Sequence, residues 1–252
     1  MEPLSVVLIT YNEEQAIGRC LKSVQSLADE ILVVDSFSTD RTVAICKEYN
    51  ARVIQHPFEG FGPQKRFATT QASYDFILFL DADEELSETL RESILQIKTH
   101  YTENAYTFNR LNFYCNKPIR HCGWYPDKQL RLFRRSCYNW NQNMVHETIS
   151  VPKATRLSHL KGDLNHYTCQ KIEDHQLKEK RYAMLNAASL AQNNRKITHL
   201  TPMLKGGFRF IKTYLFKGGF LDGRYGFFIC TTLAKSSFLK YSIALKIRNA
   251  SR

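Results

Sequence analysis

The chain has 252 residues, enough for one large α/β domain or for one domain with an appendage. Hydrophobic residues make up 43% of it and its mean hydropathy is -0.38. It contains no uncharged apolar run of about 18 residues, so we do not expect a membrane-spanning protein. The N-terminus lacks the basic region and cleavage site of a secretory signal. Seven scattered cysteines without CxxC spacing predict reduced thiols in a cytoplasmic protein.

The net charge of +11 is distributed unevenly along the chain. Residues 1–100 carry 9 Lys and Arg against 16 Asp and Glu, and residues 101–195 carry 15 against 7. Residues 196–252 carry 11 basic residues against a single acid, Asp222. Such a basic C-terminal segment predicts a polyanionic partner, which is an anionic membrane face, a phosphorylated substrate or a nucleic acid.

Strand-like and helix-like segments alternate over the first hundred residues. Short apolar runs predict the strands, and segments with apolar residues at helical spacing follow them. The predicted strands are Leu4–Ile9, Ile31–Val34, Arg52–Gln55 and Phe76–Leu80, and the predicted helices are Glu14–Val24, Arg41–Tyr49, Gln64–Gln71 and Glu88–His100. Ser87 is a suitable N-cap for the last helix. This βαβαβαβ order predicts a mostly parallel sheet with flanking helices.

The remainder of the chain predicts two further regions. Residues 101–168 are rich in Tyr, Phe, Asn and Arg and contain the β-like runs Tyr106–Phe108, Gln129–Phe133 and Glu147–Val151. We expect them to form a small mixed region beside the sheet, so that residues 1–100 and 101–168 are two halves of one domain. Residues 169–252 have a helical pattern, and Phe227–Ile247 predicts a basic amphipathic helix at the end of this extension.

Polar residues follow three of the predicted strands. Thr10–Glu13 follows the first, Asp35–Asp40 the second, and Asp81-Ala82-Asp83 the fourth. Because the carboxyl ends of parallel strands meet at one edge of a sheet, we expect one ligand site there. An Asp-x-Asp pair suits a divalent cation that bridges diphosphate oxygens. The chain has no GxxxxGK[ST] motif and no GxGxxG after its first strand, which excludes a glycine-rich phosphate cradle.

The motifs TYNEE, VVDSFSTD and FLDADEE, at these spacings, resemble the nucleotide-binding half of family 2 glycosyltransferases with the GT-A fold. WYPDKQLRLFRR, NMVHE and KGGFLDGRYG extend the resemblance to the branch that adds a sugar to the inner core of lipopolysaccharide, described as β-1,4-glucosyltransferases. Ser36 and Phe37 replace the Asp-Gly of the commoner VVDDGSTD motif, whereas Asp35, Ser38 and Asp40 are kept. The resemblance implies a Rossmann-like GT-A sheet, a UDP-hexose donor, and Mg²⁺ or Mn²⁺ as cofactor.

The resemblance also implies roles for individual residues. Asp83 would ligate the metal directly, and Asp81 would lie near the ribose or a metal-bound water. Lys65 and Arg66 match a position where the family often has a donor-contacting basic residue, although both also fit solvated positions on a helix. The residues that would surround the donor nucleotide are Thr10, Tyr11, Asn12, Glu13 and Asp35.

An inverting transfer needs a general base that accepts the proton of the acceptor hydroxyl. The candidates are Glu147, within NMVHE, and Asp127, which precedes a predicted strand. Asp127 is alternatively a structural partner of Arg131 or Arg134. His146 is a candidate metal ligand or a positioning partner of Glu147, and it equally fits a core histidine.

These features predict an inverting glycosyltransferase, cytoplasmic and peripheral on the inner face of the cell membrane. It would move a hexose, with glucose from UDP-glucose as the first choice, to a lipid-linked saccharide such as lipopolysaccharide core. The basic tail would dock on the anionic membrane surface. Arg131, Arg134 and Arg135 either meet an acceptor phosphate or form an ordinary surface charge run.

Two alternatives remain open. A metal-dependent nucleotidyltransferase uses a similar sheet and metal, but TYNEEQAIG is a poor match to its glycine-rich loop. A nucleic-acid-binding protein would act through the basic tail, but this leaves the acidic strand ends without an explanation.

Overall fold

The computed structural model of the protein describes residues 2–141, 148–152, 155–192 and 197–250. These residues form two compact units. Unit 1 contains residues 1–110 and 127–166, and unit 2 contains residues 111–126 and 167–252. Unit 1 has an α/β architecture, whereas unit 2 is mainly helical.

The secondary structure alternates in the first hundred residues as the apolar pattern predicts. The strands are β1 (Leu4–Thr10), β2 (Glu30–Asp35), β3 (Arg52–Gln55), β4 (Phe76–Asp81), β5 (Glu84–Leu86), β6 (Ala105–Tyr114), β7 (Lys117–Pro118), β8 (Asp127–Arg134) and β9 (Ser158–Cys169). The helices are α1 (Ile17–Val24), α2 (Thr42–Glu48), α3 (Phe61–Gln71), α4 (Glu88–Lys98), α5 (Ile172–Gln192), α6 (Thr201–Ile211) and α7 (Gly223–Ala250). Unit 1 holds α1 to α4 and every strand except β7, and the last residues of β6 and β9 continue into unit 2.

The parallel half of the sheet has the order β3-β2-β1-β4. Successive side chains of β1 point to opposite faces, so Val6 and Leu8 belong to one core cluster and Val7 to the other. The same alternation separates Leu78 from Phe79 in β4. Because both faces are buried, these strands appear in the sequence as continuous apolar runs.

The other half of the sheet is antiparallel. β8 pairs with β4, β6 with β8, and β5 with β9, which gives the full order β3-β2-β1-β4-β8-β6-β9-β5. Only Ala82 and Asp83 separate β4 from β5 in the chain, although the two strands lie four places apart in this order. The sheet of unit 1 therefore curls, and its last strand returns to the carboxyl end of β4.

Unit 2 is organised around α7, which packs against both α5 and α6. Its core contains Tyr114, Ile119, Cys122, Ile229 and Cys230. A π-helical turn at 212–216 and a 3₁₀ turn at 219–222 connect α6 to α7. No helix in the described part of the chain combines the length and the apolar character needed to cross a bilayer.

Asp222 is the single acid of residues 196–252, and its buried carboxylate has a structural role. It accepts hydrogen bonds from the backbone N–H of His121 at 2.9 Å and of Arg120 at 3.2 Å, and it lies 3.0 Å from His121 Nδ1. These bonds hold residues 120–121 against the 3₁₀ turn within unit 2.

The predicted fold class is confirmed: a sheet whose first half is parallel, flanking helices, a mixed region and a helical extension. Ser87 caps α4, since its Oγ accepts the N–H of Leu90 at 3.3 Å. Several boundaries differ from expectation; α3, for example, begins at Phe61 rather than Gln64. α1 begins at Ile17 rather than Glu14 because the residues before it form turns. In the described part of the predicted strand over 147–151 only Ile149 makes a β-bridge, to Trp140.

Candidate functional site

The register of the parallel strands brings three predicted site residues to one edge of the sheet. Thr10 at the end of β1 lies opposite Asp35 at the end of β2, and Ile9 lies opposite Asp81 at the end of β4. The polar segments that follow β1, β2 and β4 therefore meet at the edge of the sheet where the sequence predicts a ligand site. Parallel pairing fixes this arrangement, since all three strands end at the same edge.

The loops after β1 and β2 are held together by reciprocal hydrogen bonds. The backbone N–H of Asn12 donates to Ser38 Oγ at 2.8 Å, and Asn12 Oδ1 accepts from the N–H of Thr39 at 2.8 Å. The N–H of Glu13 donates to Thr42 Oγ1 at 2.8 Å. Asn12 has a φ of 53°, a left-handed conformation that asparagine tolerates better than most residues. Part of the TYNEE and DSFSTD motifs therefore builds the rim of the site.

Asp35 is fully buried and shapes the second loop. Its carboxylate accepts hydrogen bonds from the N–H of Ser38 at 2.9 Å and from Ser38 Oγ at 2.5 Å. Ser36, the residue that follows Asp35, lines the cleft instead. The predicted contact of Asp35 with the base or ribose of a donor therefore stays a prediction.

A cleft of about 680 Å³ opens at this edge of the sheet within unit 1. Its lining combines the aromatic side chains of Tyr11, Phe58 and Phe61 with several carboxylates and a histidine. The lining residues are Ile9, Thr10, Tyr11, Glu13, Ser36, Phe58, Phe61, Gln64, Asp81, Ala82, Asp83 and His166. Such a lining suits a ligand that has both a flat ring and a group bound through a cation.

Asp81 is enclosed by two buried cations. Its Oδ1 lies 2.9 Å from Lys65 Nζ, and its Oδ2 lies 2.6 Å from Arg131 Nη2. Burial alone would raise the pKa of Asp81, but Arg131 and Lys65 outweigh that effect and hold the pKa well below its usual range. Arg131 also lies 3.0 Å from Glu84, whose side chain is fully buried and accepts the N–H of Asp81 at 2.9 Å. Both oxygens of Asp81 are therefore already engaged.

Asp83 faces a different partner. Its Oδ2 lies 3.2 Å from Nε2 of His166, which belongs to β9. The β5–β9 pairing puts His166 opposite Glu84, the residue after Asp83. Sequence reasoning missed His166 because its position depends on the antiparallel register of two short strands. Its only local signal is its place at the end of a strand-like segment, LNHYTC.

Asp83 and His166 fit a divalent cation that is held jointly by protein and ligand. A carboxylate oxygen and an imidazole nitrogen are suitable donors for Mn²⁺, and Mg²⁺ is commonly bound by one or two carboxylates plus substrate phosphates. No cluster of three or more His, Cys, Asp or Glu residues suited to a metal occurs among residues 2–141, 148–152, 155–192 and 197–250. A cation here would therefore need oxygen ligands from a bound phosphate and from water.

Excess negative charge in the cleft affects Glu13. Burial, together with the nearby carboxylates of Asp83 and Asp40, raises the pKa of Glu13 to about 7. Asp81 contributes little uncompensated charge to the cleft because Lys65 and Arg131 neutralise it. The carboxylates of Glu13 and Asp83 thus favour a cation in the cleft.

A second cavity of about 470 Å³ within unit 1 also has Asp81 in its lining. The other lining residues include Lys65, Arg131, Trp140 and Thr148. Lys65 Nζ is 4.9 Å from the centroid of the Trp140 ring. Among the described residues, neither Trp140 Nε1 nor Arg131 Nε has a hydrogen-bond partner, although both atoms are buried. Arg66 is exposed and reaches the backbone oxygen of Trp140 at 3.4 Å.

Asp127 is paired, but its partner is not the one expected. It lies 2.8 Å from Arg110 Nη2 and accepts from Gln129 Nε2 at 2.8 Å, so the expected pairing with Arg131 or Arg134 is wrong. The antiparallel β6–β8 register explains this, since Arg110 lies directly opposite Asp127. Glu147 and His146, which are also candidates from the sequence, lie outside the described residues.

The predicted arginine run divides between two ends of the sheet. Arg131 reaches the site, whereas Arg134 pairs with Glu2 and Asp75 at the start of β4. Arg135 donates to the backbone oxygens of residues 70 and 72. Because β8 runs antiparallel to β4, each step along it leads away from Asp81. Arg134 and Arg135 therefore lie away from Asp81, and a contact of either with an acceptor phosphate stays a prediction.

Comparisons with known proteins agree with this arrangement. The model of the family "Glycosyl transferase family 2" matches residues 5–161. A relative described as the uncharacterized glycosyltransferase RP128 of Rickettsia prowazekii is 30% identical over 99% of this chain and 90% of that protein. The lipopolysaccharide core biosynthesis glycosyltransferase LpsC of Rhizobium meliloti is 30% identical over 94% of this chain and 90% of its own length.

Solved structures give weaker matches. TarS 1-349 of S. aureus in complex with UDP is 17% identical, covers 98% of this chain and 92% of its own, and has a TM-score of 0.46. Glucosyl-3-phosphoglycerate synthase of Mycobacterium tuberculosis with Mn²⁺ and UDP is 26% identical over 45% of this chain and 44% of its own, with a TM-score of 0.37. Both TM-scores are below 0.5, so the assignment depends on the sequence matches.

The matched residues include the three strand-end motifs and β8, the antiparallel strand that carries Arg131. The open choice between sugar transfer, nucleotide transfer and nucleic-acid binding is thereby decided in favour of sugar transfer. The chain belongs to glycosyl transferase family 2.

Proposed function

We propose that the protein is a metal-dependent, inverting hexosyltransferase that uses a UDP-sugar. Glucose is the proposed sugar, and the proposed acceptor is a lipid-linked saccharide such as lipopolysaccharide core. The acceptor class is supported by the name of LpsC, a relative of nearly full length. The enzyme would be peripheral to the inner face of the cell membrane.

One observation carries the proposal. Asp83 and His166 pair in a cleft that Thr10, Tyr11 and Ser36 also line. A nucleoside diphosphate sugar has a flat ring, which matches the aromatic side chains of this cleft, and an anionic diphosphate, which its acidic side chains can bind through a cation. We assign uracil and ribose to the side of Tyr11 and Ser36, and the diphosphate to the side of Asp83.

Asp83 and His166 would hold Mg²⁺ or Mn²⁺, which supplies positive charge to the departing diphosphate when bound. His166 takes the place that His146 has in the sequence prediction. Asp81, with both oxygens engaged by Lys65 and Arg131, serves to fix those two cations near the reacting sugar. Their charge would favour the developing negative charge on the leaving group.

The reaction joins the acceptor oxygen to C1 of the sugar while the bond from C1 to the diphosphate oxygen breaks. The acceptor hydroxyl proton passes to a carboxylate on the opposite face of the sugar. We propose Glu147 as that base, because the next residue, Thr148, lines the second cavity beside Lys65 and Arg131. Asp127 is the weaker candidate, since its carboxylate is bonded to Arg110 and Gln129.

A donor screen tests the proposal. The protein is incubated with Mn²⁺ and a panel of nucleotide sugars, and thermal stabilisation and slow donor hydrolysis are measured. We expect UDP-sugars, with UDP-glucose foremost, to raise the melting temperature only when Mn²⁺ is present. Asp83→Asn should weaken this response at least ~10-fold in apparent affinity.

Glu85→Gln is the matched control for Asp83→Asn. Glu85 belongs to the same acidic motif, but it lines a separate cavity with Arg19 and Lys22. It should keep the response to UDP-glucose and Mn²⁺. If no nucleotide sugar stabilises the wild-type protein, or if Asp83→Asn responds as the wild type does, the proposal is incorrect.

A second pair of variants tests the base. Glu147→Gln should lower the rate of transfer ~10²- to 10⁴-fold while UDP-sugar binding stays intact. Asp127→Asn should retain most of the transfer rate at a temperature where the variant is folded. The reverse result would move the role of general base to Asp127.

A further inference from the structure

α6 presents an unusually apolar face to solvent. We name this surface the α6 face and define it by the side chains of Leu200, Met203, Leu204, Phe208, Ile211 and Leu215. Each of them is between 46% and 67% exposed. They lie on the helix, on the residue before it and on the π-helical turn after it. Large contiguous apolar patches are rare on monomeric proteins and commonly mark an interaction site.

The spacing puts these side chains on one side of the helix. Intervals of four, four, three and four residues separate Leu200, Leu204, Phe208, Ile211 and Leu215. This spacing matches the period of one helical face. The opposite side is buried, with Pro202 and Gly206 of α6 and Thr213 of the π-helical turn facing inward. A Cβ at Gly206 would meet Phe238 of α7 at 3.2 Å, so the helix already packs closely on that side.

Basic side chains flank the α6 face. Three members of the α6 face are each followed directly by a basic residue: Lys205, Arg209 and Lys212. One residue corresponds to a rotation of about 100° about the helix axis, so all three lie on the same flank of the face. Lys217 follows the π-helical turn. Residues 197–221 contain no Asp or Glu. The surface is therefore apolar along its centre and positively charged along one margin.

This combination matches one kind of partner. An anionic lipid surface offers an acyl layer to the apolar side chains and phosphate head groups to the flanking cations. A second copy of this chain would instead bring the same cations together, and residues 197–221 supply no acid to neutralise them. α7 is less suited to this role than the sequence pattern indicates, because it packs against both α5 and α6.

We propose that the α6 face and its flanking cations dock the protein on an anionic lipid bilayer, with α6 lying in the plane of the interface. The proposal deepens the membrane association included in the proposed function and rests on that part of it alone. It replaces Phe227–Ile247 with residues 200–217 as the segment of the tail that meets the lipid.

Vesicle flotation tests the docking surface. The full chain is mixed with vesicles of phosphatidylcholine, with and without phosphatidylglycerol, and the bound fraction is measured. We expect binding only with phosphatidylglycerol, and loss of binding at high salt. Leu204→Ser with Phe208→Ser should weaken binding at least ~10-fold. Arg209→Gln with Lys212→Gln should weaken it by a similar factor at low salt.

Matched controls come from α5. Leu177 and Leu185 are 65% and 66% exposed, close to the 67% and 62% of Leu204 and Phe208. Leu177→Ser with Leu185→Ser should leave vesicle binding within ~2-fold of the wild type. The apolar variants replace exposed side chains, and circular dichroism verifies that they are folded.

Three results would overturn the docking proposal. One is a wild-type protein that does not float with anionic vesicles, and another is an equal loss of binding in the α5 variant. The last is a wild-type protein that is a dimer by light scattering, together with a Leu204→Ser, Phe208→Ser double variant that is a monomer and binds vesicles as the wild type does. That result would assign the face to self-association. Donor binding is measured in parallel, without lipid, as thermal stabilisation by UDP-glucose and Mn²⁺. A protein that is stabilised by UDP-glucose but does not float with anionic vesicles refutes only the docking proposal. A protein that floats but is not stabilised refutes only the proposed sugar transfer.

Discussion

Arg131→Met removes the central cation of the buried charge network beside the cleft. The Arg131 side chain is 5% exposed and reaches two carboxylates, Asp81 at 2.6 Å and Glu84 at 3.0 Å. The Glu84 side chain is completely buried. Loss of one partner of a buried ion pair costs about 3–5 kcal/mol, because the remaining charge stays out of water without compensation.

Remaining contacts put the expected cost at the lower end of this range. Asp81 keeps Lys65 at 2.9 Å, and Glu84 keeps the backbone N–H of Asp81 at 2.9 Å and Arg110 at 3.5 Å. We therefore expect a loss of about 3 kcal/mol in the free energy of unfolding. The urea midpoint of the transition should fall by about 1–2 M. Far-UV circular dichroism during urea titration measures it.

Two further variants separate charge from packing. Arg41→Met removes an ion pair with Glu48 whose side chains are 74% and 62% exposed, and it should change stability by no more than ~0.5 kcal/mol. Glu84→Gln combined with Arg131→Met should be less destabilised than Arg131→Met alone, since no buried carboxylate is then left unpaired. If Arg131→Met is as stable as Arg41→Met, the buried ion pairs of Arg131 do not stabilise the folded protein.

Three other predictions follow from particular contacts. Gly162→Ala should lower the free energy of unfolding by about 2–4 kcal/mol, because Gly162 has a φ of +95° and a Cβ added there would lie 2.3 Å from the backbone N of Leu90. The control is Gly207→Ala at an exposed helical position, which should raise the free energy of unfolding by up to ~1 kcal/mol. His166→Ala should weaken Mn²⁺ affinity, measured by calorimetry with UDP present, at least ~10-fold, and His159→Ala on the same strand should not. Burial opposes the ionisation of Asp75, but hydrogen bonds from Ser136 and the charge of Arg134 lower its pKa in the folded protein. The ionised carboxylate therefore stabilises the fold above the pKa of about 4 that Asp has in the unfolded chain, and this stabilisation is lost as the pH falls below that value. Asp75→Asn should flatten the acid limb of a stability-versus-pH curve, and an unchanged limb would contradict the prediction.

The strand-end motifs serve two purposes that sequence patterns alone do not separate. The polar groups of Asn12 and Asp35 form hydrogen bonds with Ser38 and Thr39, and these bonds stabilise the loops around the cleft. Tyr11, Ser36 and Asp83 line the cleft itself. A motif residue is therefore as readily a support for the site as a ligand contact, and substitution of Asn12 or Asp35 should alter loop stability together with donor binding.

The sequence by itself determined the parallel half of unit 1 and the edge at which its site lies. Runs such as LSVVLI and FILFL are local signals for buried strands, and parallel order requires that Thr10, Asp35 and Asp81 end at the same edge. Only the tertiary structure decided which residues from the antiparallel half meet them. His166 lies beside Asp83, Arg131 beside Asp81 and Arg110 beside Asp127 because of the β5–β9, β4–β8 and β6–β8 registers. A slip of one residue in any of these pairings would turn those side chains to the other face of the sheet, and no local pattern specifies such a register over short strands.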